Sequence, residues 1–242
     1  MGALDGKVAV ITGSAKGIGR MVARAYAREG ARVVLADVDE PRMKATAGEI
    51  GSAALPIVTD VTNEESVRQC MARAAEQLGG IDILVNDAGI VPHFNWGVPR
   101  WPRIRDMENA FWEKVQGVNL GGTFRCTKHA LPYIEQRGGG HVISLHGGGG
   151  ERSVAYTTTK EAIRVFTRYV AVEERPANVC LICVSPGSAI ATEDAPEEAR
   201  GRLPGPETLE PLFLLAAQAP MDLSGKTVRL VDGKLEAMPD WF

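Results

Sequence analysis

The sequence predicts one α/β domain, a Rossmann-type doubly wound fold in which a seven-stranded parallel sheet carries helices on both faces. Three observations support this. Val- and Ile-rich runs recur at residues 7–12, 32–37, 54–59, 81–86, 141–145, 179–184 and 227–231, and most lack polar alternation, as strands covered on both faces do. Longer amphipathic stretches separate the runs, and strand–helix alternation implies one doubly wound layer rather than two domains. The length, 242 residues with 45% hydrophobic and 24% charged, suits one large domain, residues 1–242, with its own core. No internal repeat is visible.

In chain order, the first strand runs straight into Thr12-Gly13-Ser14-Ala15-Lys16-Gly17-Ile18-Gly19, and a helix follows with Ile18, Val22, Ala25 and Tyr26 at helical spacing before a stop at Gly30. The second strand closes on Asp37 and the third is followed by Asp60-Val61. Asn63 is placed to cap a helix reaching about Leu78, ended by Gly79 and Gly80. After the fourth strand comes Asn86-Asp87-Ala88-Gly89. Residues 90–106 hold Pro92, Pro99 and Pro102, too many prolines for a helix, together with Trp96, Trp101, Arg100, Arg103 and Arg105. Residues 192–206 (TEDAPEEARGRLPGP) are acidic, then Gly- and Pro-rich, and are expected to be exposed and mobile.

Several function classes are disfavoured. A formal charge of −3 offers no concentrated excess of Lys and Arg for nucleic acid. No stretch approaches the roughly 18 apolar residues of a membrane span, and the run at 8–11 is too short for a signal peptide. The four cysteines call for no covalent stapling, so a reducing cytoplasm is the expected location. Cys180 and Cys183 form a CxxC, but on a strand an offset of three sends the side chains to opposite faces, reading as buried small hydrophobes rather than a redox or metal pair. His93, His129, His141 and His146 lack ligand spacing, so no metal is expected. Without a GxSxG elbow, the glycines at 147–150 do not indicate a hydrolase.

The residues that carry chemistry begin with the glycine-rich turn. Gly13, Ser14, Lys16, Gly17, Ile18 and Gly19 lie between a strand and a helix, where glycines let the backbone approach a phosphate and the helix N-terminus attracts it. Alone, the turn also fits a plain strand-to-helix connection. Asp37, with Val38 beside it, stands 18 residues after Gly19, near the offset at which an acid binds an adenosine ribose. A carboxylate there repels a 2′-phosphate, favouring NAD over NADP, although Lys16 and Arg42 could soften the preference. Tyr156 and Lys160, four apart on a predicted helix, share a face. An ammonium beside a phenol stabilises the phenolate, so Tyr156 could exchange a proton with a substrate while a nicotinamide exchanges hydride.

Taken in order, these motifs resemble the single-domain members of the short-chain dehydrogenase/reductase family. The match rests on the TGxxxGIG turn, Asp60-Val61, Asn86-Asp87-Ala88-Gly89 (usually Asn-Asn-Ala-Gly), Asn119 in Val118-Asn119-Leu120, Tyr156-x-x-x-Lys160 and Pro186-Gly187. The resemblance implies an NAD-dependent oxidoreductase interconverting a secondary alcohol and a ketone. It implies that Asp60 and Val61 meet the adenine, that Asn86, Ala88 and Gly89 line the cofactor cleft, and that Pro186, Gly187 and Thr192 flank the nicotinamide. Lys160 would bond the nicotinamide ribose and Asn119 would support a water-mediated proton path. A homotetramer built through helices around residues 113–133 and 153–174 is also implied.

The sequence departs from that family at its catalytic serine. Aligning the fifth strand puts Gly147 in the serine position and His146 just before it, leaving the following segment about four residues short. Ser144 serves if the strand slips, though its odd offset points it to the opposite face. His146 and Ser153 are the other candidates, and no replacement is a fourth. The tryptophans and arginines of residues 90–106 suit an aromatic or anionic substrate or, equally, a surface contact. The shortened segment after Gly187 suggests a more open site. Two rival readings remain: a dinucleotide-binding protein with decayed redox activity, and a dehydratase or isomerase using the same tyrosine.

Overall fold

The structure, a computed structural model, describes residues 1–91, 102–147, 154–195 and 197–239. In chain order its strands are β1 (Val8–Thr12), β2 (Arg32–Asp37), β3 (Ala54–Val58), β4 (Ile83–Asn86), β5 (Gly140–Leu145), β6 (Val179–Val184), β7 (Thr227–Val231) and β8 (Lys234–Ala237). The helices are α1 (Gly17–Arg28), α2 (Glu40–Ile50), α3 (Glu64–Leu78), α4 (Asn109–Gln136), α5 (Val154–Glu174), α6 (Glu197–Arg200) and α7 (Glu210–Ala216).

The strands form one sheet in the order β3-β2-β1-β4-β5-β6-β7-β8. The predicted seven are all present and mutually parallel. An eighth, β8, was not expected and pairs antiparallel with β7. Its cause is local: Asp232 (φ 47°) and Gly233 (φ 76°) both adopt left-handed backbone, the requirement of a two-residue hairpin turn, for which Asp-Gly is a preferred pair.

Side chains alternate between two apolar layers. Ile11, Val33, Leu35, Ile83, Val85 and Ile182 face the layer that includes Val22, Tyr26 and Phe213 of α1 and α7. Val10, Val34, Leu84, Val142 and Leu181 face the layer that includes Met71, Cys126 and Ile134 of α3 and α4. Both layers are buried, so the strands read as continuous hydrophobic runs. The helix ends follow the local signals. Asn63 Oδ1 accepts the Ser66 N–H at 3.0 Å to cap α3, and Gly79 ends it in a left-handed conformation. Pro56 lies on β3, the sheet edge, where its missing N–H costs no ladder bond on a central strand.

Cys180 and Cys183 are buried on β6 and contact different elements: Cys180 Sγ lies 3.7 Å from Pro220 O, and Cys183 Sγ 3.2 Å from Thr167 Oγ1 of α5. No described helix is long and apolar enough to cross a membrane. Strand order reverses between β1 and β4, opening a crevice beyond the carboxyl ends of the strands, where ligands of such sheets bind.

Candidate active site

The β1–α1 turn forms one wall of this crevice. Gly13 has φ +69°, and a Cβ on it would lie 2.9 Å from the Ala88 backbone, so only glycine lets the turn touch the segment after β4. Thr12 Oγ1 fastens the same two segments, accepting the Asp87 N–H at 3.2 Å and the Ala88 N–H at 3.1 Å. Ser14 is buried and its Oγ has no partner among the described residues.

Three N–H groups of this turn are held by carboxylates. Asp37 Oδ2 accepts the Ala15 N–H at 2.9 Å, while its Oδ1 accepts the Asp39 N–H at 2.9 Å. Glu193 Oε2 accepts the Gly17 N–H at 2.8 Å. The Gly19 N–H bonds the carboxylate of Asp87, which burial pushes up to about 7 against the opposing pull of Lys160. Val38 is exposed beside Asp37. Ile18 is buried, and Lys16 is turned to Asp194, 2.7 Å away.

The far wall comes from β3, β4, α4 and α5. Asp60 is exposed and accepts both the Thr62 N–H and hydroxyl, a contact that holds its carboxyl below the usual range. Val61 is buried, and its side chain packs so close to Gly122 of α4 that a Cβ there would meet it at 2.8 Å. Asn86 is a tie rather than an open wall: Nδ2 donates to Thr127 Oγ1 at 3.1 Å and Ser144 Oγ at 3.3 Å, leaving buried Oδ1 without a partner among the described residues. Asn119 Oδ1 accepts the Ile90 N–H at 2.8 Å, and its Nδ2 donates to Ile90 O and to Thr159 Oγ1, both at 3.2 Å. It therefore joins the segment after β4 to the helix of Tyr156. Gly89 lies against the same side chain.

On α5, Lys160 Nζ is 5.5 Å from the centre of the Tyr156 ring and donates to Leu145 O at 2.8 Å. Burial lowers the ammonium to about 8, opposed by the negative field of Asp87. Burial first, and Asp87 second, push the Tyr156 phenol up. The predicted pair is thus assembled, facing the segment after β5.

The departure at the serine resolves by direction. Among the described residues, a Cβ built on Gly147 would have one neighbour within 4 Å, Tyr156 Oη at 3.7 Å, so position 147 faces the phenol. Ser144 does not reach it. Its hydroxyl is buried against Asn86, because an odd strand offset from 147 turns it to the other face. His146 is also turned away: Nε2 lies 3.2 Å from Glu161 Oε1, burial lowers its pKa, and Nδ1 has no partner among the described residues. Ser153, His93, Trp96, Arg100 and Trp101 lie outside the described residues; Arg103 and Arg105 are described and exposed.

Of residues 192–206, expected to be exposed and mobile, most of those described are exposed, and residues 192–195 fold back on the glycine turn. Pro186 and Gly187 follow β6, and the chain then brings Thr192 over Gly17, where a Cβ would meet Thr192 Cγ2 at 3.2 Å. Glu193 pairs with Arg20, Asp194 with Lys16, and Arg200 bonds the carbonyls of Glu193 and Ala195. The strap is not legible in the sequence, where its only signal is the acidic pair directly after Thr192. No group of three His, Cys, Asp or Glu side chains suited to a metal occurs among the described residues.

The short chain dehydrogenase family model matches residues 7–200. The chain belongs to that family. It is 34% identical over 186 residues to an L-fucose dehydrogenase of Bos taurus, covering 76% of this chain and 66% of that enzyme. It is 33% identical over 250 residues to a cis-4-hydroxycyclohexanecarboxylate dehydrogenase of Sinomonas cyclohexanicum, covering 96% and 97% of the two chains. Among solved structures, a short-chain dehydrogenase/reductase from Mycobacterium marinum superposes with a TM-score of 0.84 at 32% identity, covering 95% of each chain. A 3-ketoacyl-(acyl-carrier-protein) reductase from Brucella melitensis, complexed with NADH, superposes with a TM-score of 0.82 at 27% identity, covering 94% of this chain and 97% of that one. The relatives and neighbours that it matches are named dehydrogenases and reductases.

Proposed function

We propose that the protein is an NAD-dependent oxidoreductase that interconverts a secondary alcohol and a ketone, with Tyr156 as proton donor and acceptor. The observation that carries this reading is the buried Lys160 held 5.5 Å from the Tyr156 ring.

The residues present fit a dinucleotide. Gly13, Ser14, Gly17, Ile18 and Gly19 would cradle its diphosphate, and the unpartnered Ser14 Oγ is free for it. Asp37, keeping lone pairs beyond its two backbone contacts, would take the adenosine ribose, with Val38, Asp60 and Val61 around the base. Ala88, Gly89, Pro186, Gly187 and Thr192 would line the remainder, with Asn86 bracing the wall behind. NAD is favoured over NADP because Asp37 repels a 2′-phosphate while Arg42 pairs with Asp39 at 2.9 Å. When bound, the nicotinamide accepts or delivers the hydride.

This chain's part is proton management. Tyr156 Oη takes the proton from the substrate hydroxyl, or returns it to the carbonyl oxygen in reduction. The phenol is a weak base in its buried setting, and the ammonium of Lys160 is the group that stabilises the phenolate. Asn119 and Thr159 hold α4, α5 and the segment after β4 in register, and Asn119 supports the path by which the proton leaves. Glycine at 147 removes a donor that would hold the substrate oxygen, a loss of about 10²–10³ in rate, so slow turnover is expected rather than none. A homotetramer is supported by the exposed apolar side chains Phe124, Val165, Tyr169 and Val172 on α4 and α5. A cytoplasmic setting agrees with the four free cysteines.

The test is reduction of NAD and NADP, followed by absorbance, across a panel of secondary alcohols that includes aromatic and anionic members. Turnover is expected with NAD, and Tyr156→Phe should lower it about 10²- to 10⁴-fold while NADH still binds. Undiminished turnover in the variant rejects the tyrosine. Silence across the panel, with NADH binding intact, favours a decayed or non-redox site.

A further inference from the structure

We infer that Glu193 determines cofactor affinity as an internal competitor: in the free protein its carboxylate occupies the position on the α1 N-terminus that a cofactor diphosphate must take. The inference rests on the proposed dinucleotide site.

The anion-binding elements of the turn are in use. A helix N-terminus presents unpaired N–H groups and partial positive charge to an anion, and here the Gly17 N–H, the first of α1, donates to Glu193 Oε2 at 2.8 Å. Arg20, one turn along α1, pairs with the other oxygen of the same carboxylate. Lys16, immediately before α1, pairs with Asp194 at 2.6 Å. The strap is held for this contact: the Ala191 N–H donates to Pro204 O at 2.8 Å, the Ala195 N–H to Thr192 O at 3.0 Å, and Arg200 clamps two strap carbonyls. Thr192 packs directly on Gly17. One carboxylate satisfied at once by a helix N–H and a guanidinium reproduces the donors that a phosphate would use.

Exchange of partners keeps the charges balanced. Glu193 and Asp194 bring two negative charges against Lys16, Arg20 and the helix end, and a diphosphate brings the same. Displacing the strap therefore strands no cation in the crevice. A cavity of about 370 Å³ lined by Arg20, Arg24, Thr192, Glu193, Arg200 and Glu207 gives the carboxylate room to withdraw toward other guanidinium groups. Because only molecules with the strap released are competent, apparent affinity is reduced by the fraction released.

The experiment titrates NADH into the wild type and into Glu193→Gln by fluorescence, with folding checked by circular dichroism. The amide keeps the shape of the strap and removes its charge. NADH should bind the variant about tenfold more tightly. In the wild type, NADH or inorganic pyrophosphate should accelerate amide hydrogen exchange at residues 191–195, a readout that needs no substitution. Equal or weaker binding by Glu193→Gln, or exchange at 191–195 unaltered by either ligand, overturns the competitor role while leaving the dinucleotide site standing. Failure of both proteins to bind NADH or NADPH overturns the site and this inference together.

Discussion

Asp82 and Asp87 stand five residues apart, one just before β4 and one just after it, and the protein treats them in opposite ways. Asp82 is 3% exposed and well supplied: its carboxylate accepts the Val8 N–H at 2.9 Å and faces Arg137 at 3.3 Å and Lys7 at 3.5 Å. Asp87 has the Gly19 N–H, lies near Asp37 and is driven up to about 7 by burial. The contrast extends along the strands. At the amino end of the sheet His141 bonds Ala219 O at 3.0 Å. At the carboxyl end lie the three buried side-chain atoms without partners among the described residues, Ser14 Oγ, Asn86 Oδ1 and His146 Nδ1. One end spends its polar groups on fastening the sheet; the other leaves hydrogen-bonding capacity open, as binding requires.

The largest test of this division is Asp82→Ala. It strands the Val8 N–H and removes the partner of two cations, so unfolding in urea should show a loss of about 2–3 kcal/mol, toward the low end for a buried pair because Lys7 and Arg137 reach solvent. Turnover per folded molecule should not change. A variant as stable as the wild type but inactive would erase the distinction between the two ends.

A smaller effect is expected from Gly147→Ser, which sharpens the comparison at the carboxyl end. The position has no left-handed backbone angle, and among the described residues only Tyr156 Oη lies close to a side chain built there. A hydroxyl aimed at the phenol should raise kcat about tenfold with little change in the cofactor dissociation constant. No gain would mean that the substrate oxygen is held by something else.

Asp87→Asn should act mainly through pH. The folded protein holds the Asp87 proton more tightly than the unfolded chain, so the wild type loses stability as pH rises from about 4 through about 7. Asparagine should flatten that slope and leave the variant relatively more stable at pH 8. The same change removes a negative neighbour that pushes Tyr156 up, so the acid side of the pH–rate profile for alcohol oxidation should move down by about half a pH unit. A profile and a stability slope identical to the wild type would show that Asp87 carries no charge in this range.

Much of this protein was legible because its strongest signals are local. Asn63, Gly79 and Gly30 mark helix ends by their own backbone and side-chain chemistry, and Tyr156 and Lys160 are neighbours by helical pitch wherever the helix sits. The Asp232-Gly233 turn was equally local and went unread, since a four-residue edge strand has little apolar pattern to announce it. The strap had a different obstacle. Acidic residues followed by Gly and Pro describe an exposed segment until its partners are known, and Glu193 meets Gly17 across 176 positions of chain. The substitutes for the missing serine were undecidable for the same reason, since Ser144, His146 and Gly147 differ by which face of β5 they leave.

The sequence alone determined the alternating elements, the glycine turn and the Tyr156–Lys160 spacing, because each follows from backbone geometry over a few residues. Tertiary structure decided which carboxylate fills which N–H of that turn, that Asp82 is satisfied and Asp87 strained by burial, and that glycine faces the phenol. Those outcomes depend on which distant segments share a dry interface, where desolvation and pairing, rather than local preference, set the energy of every charge.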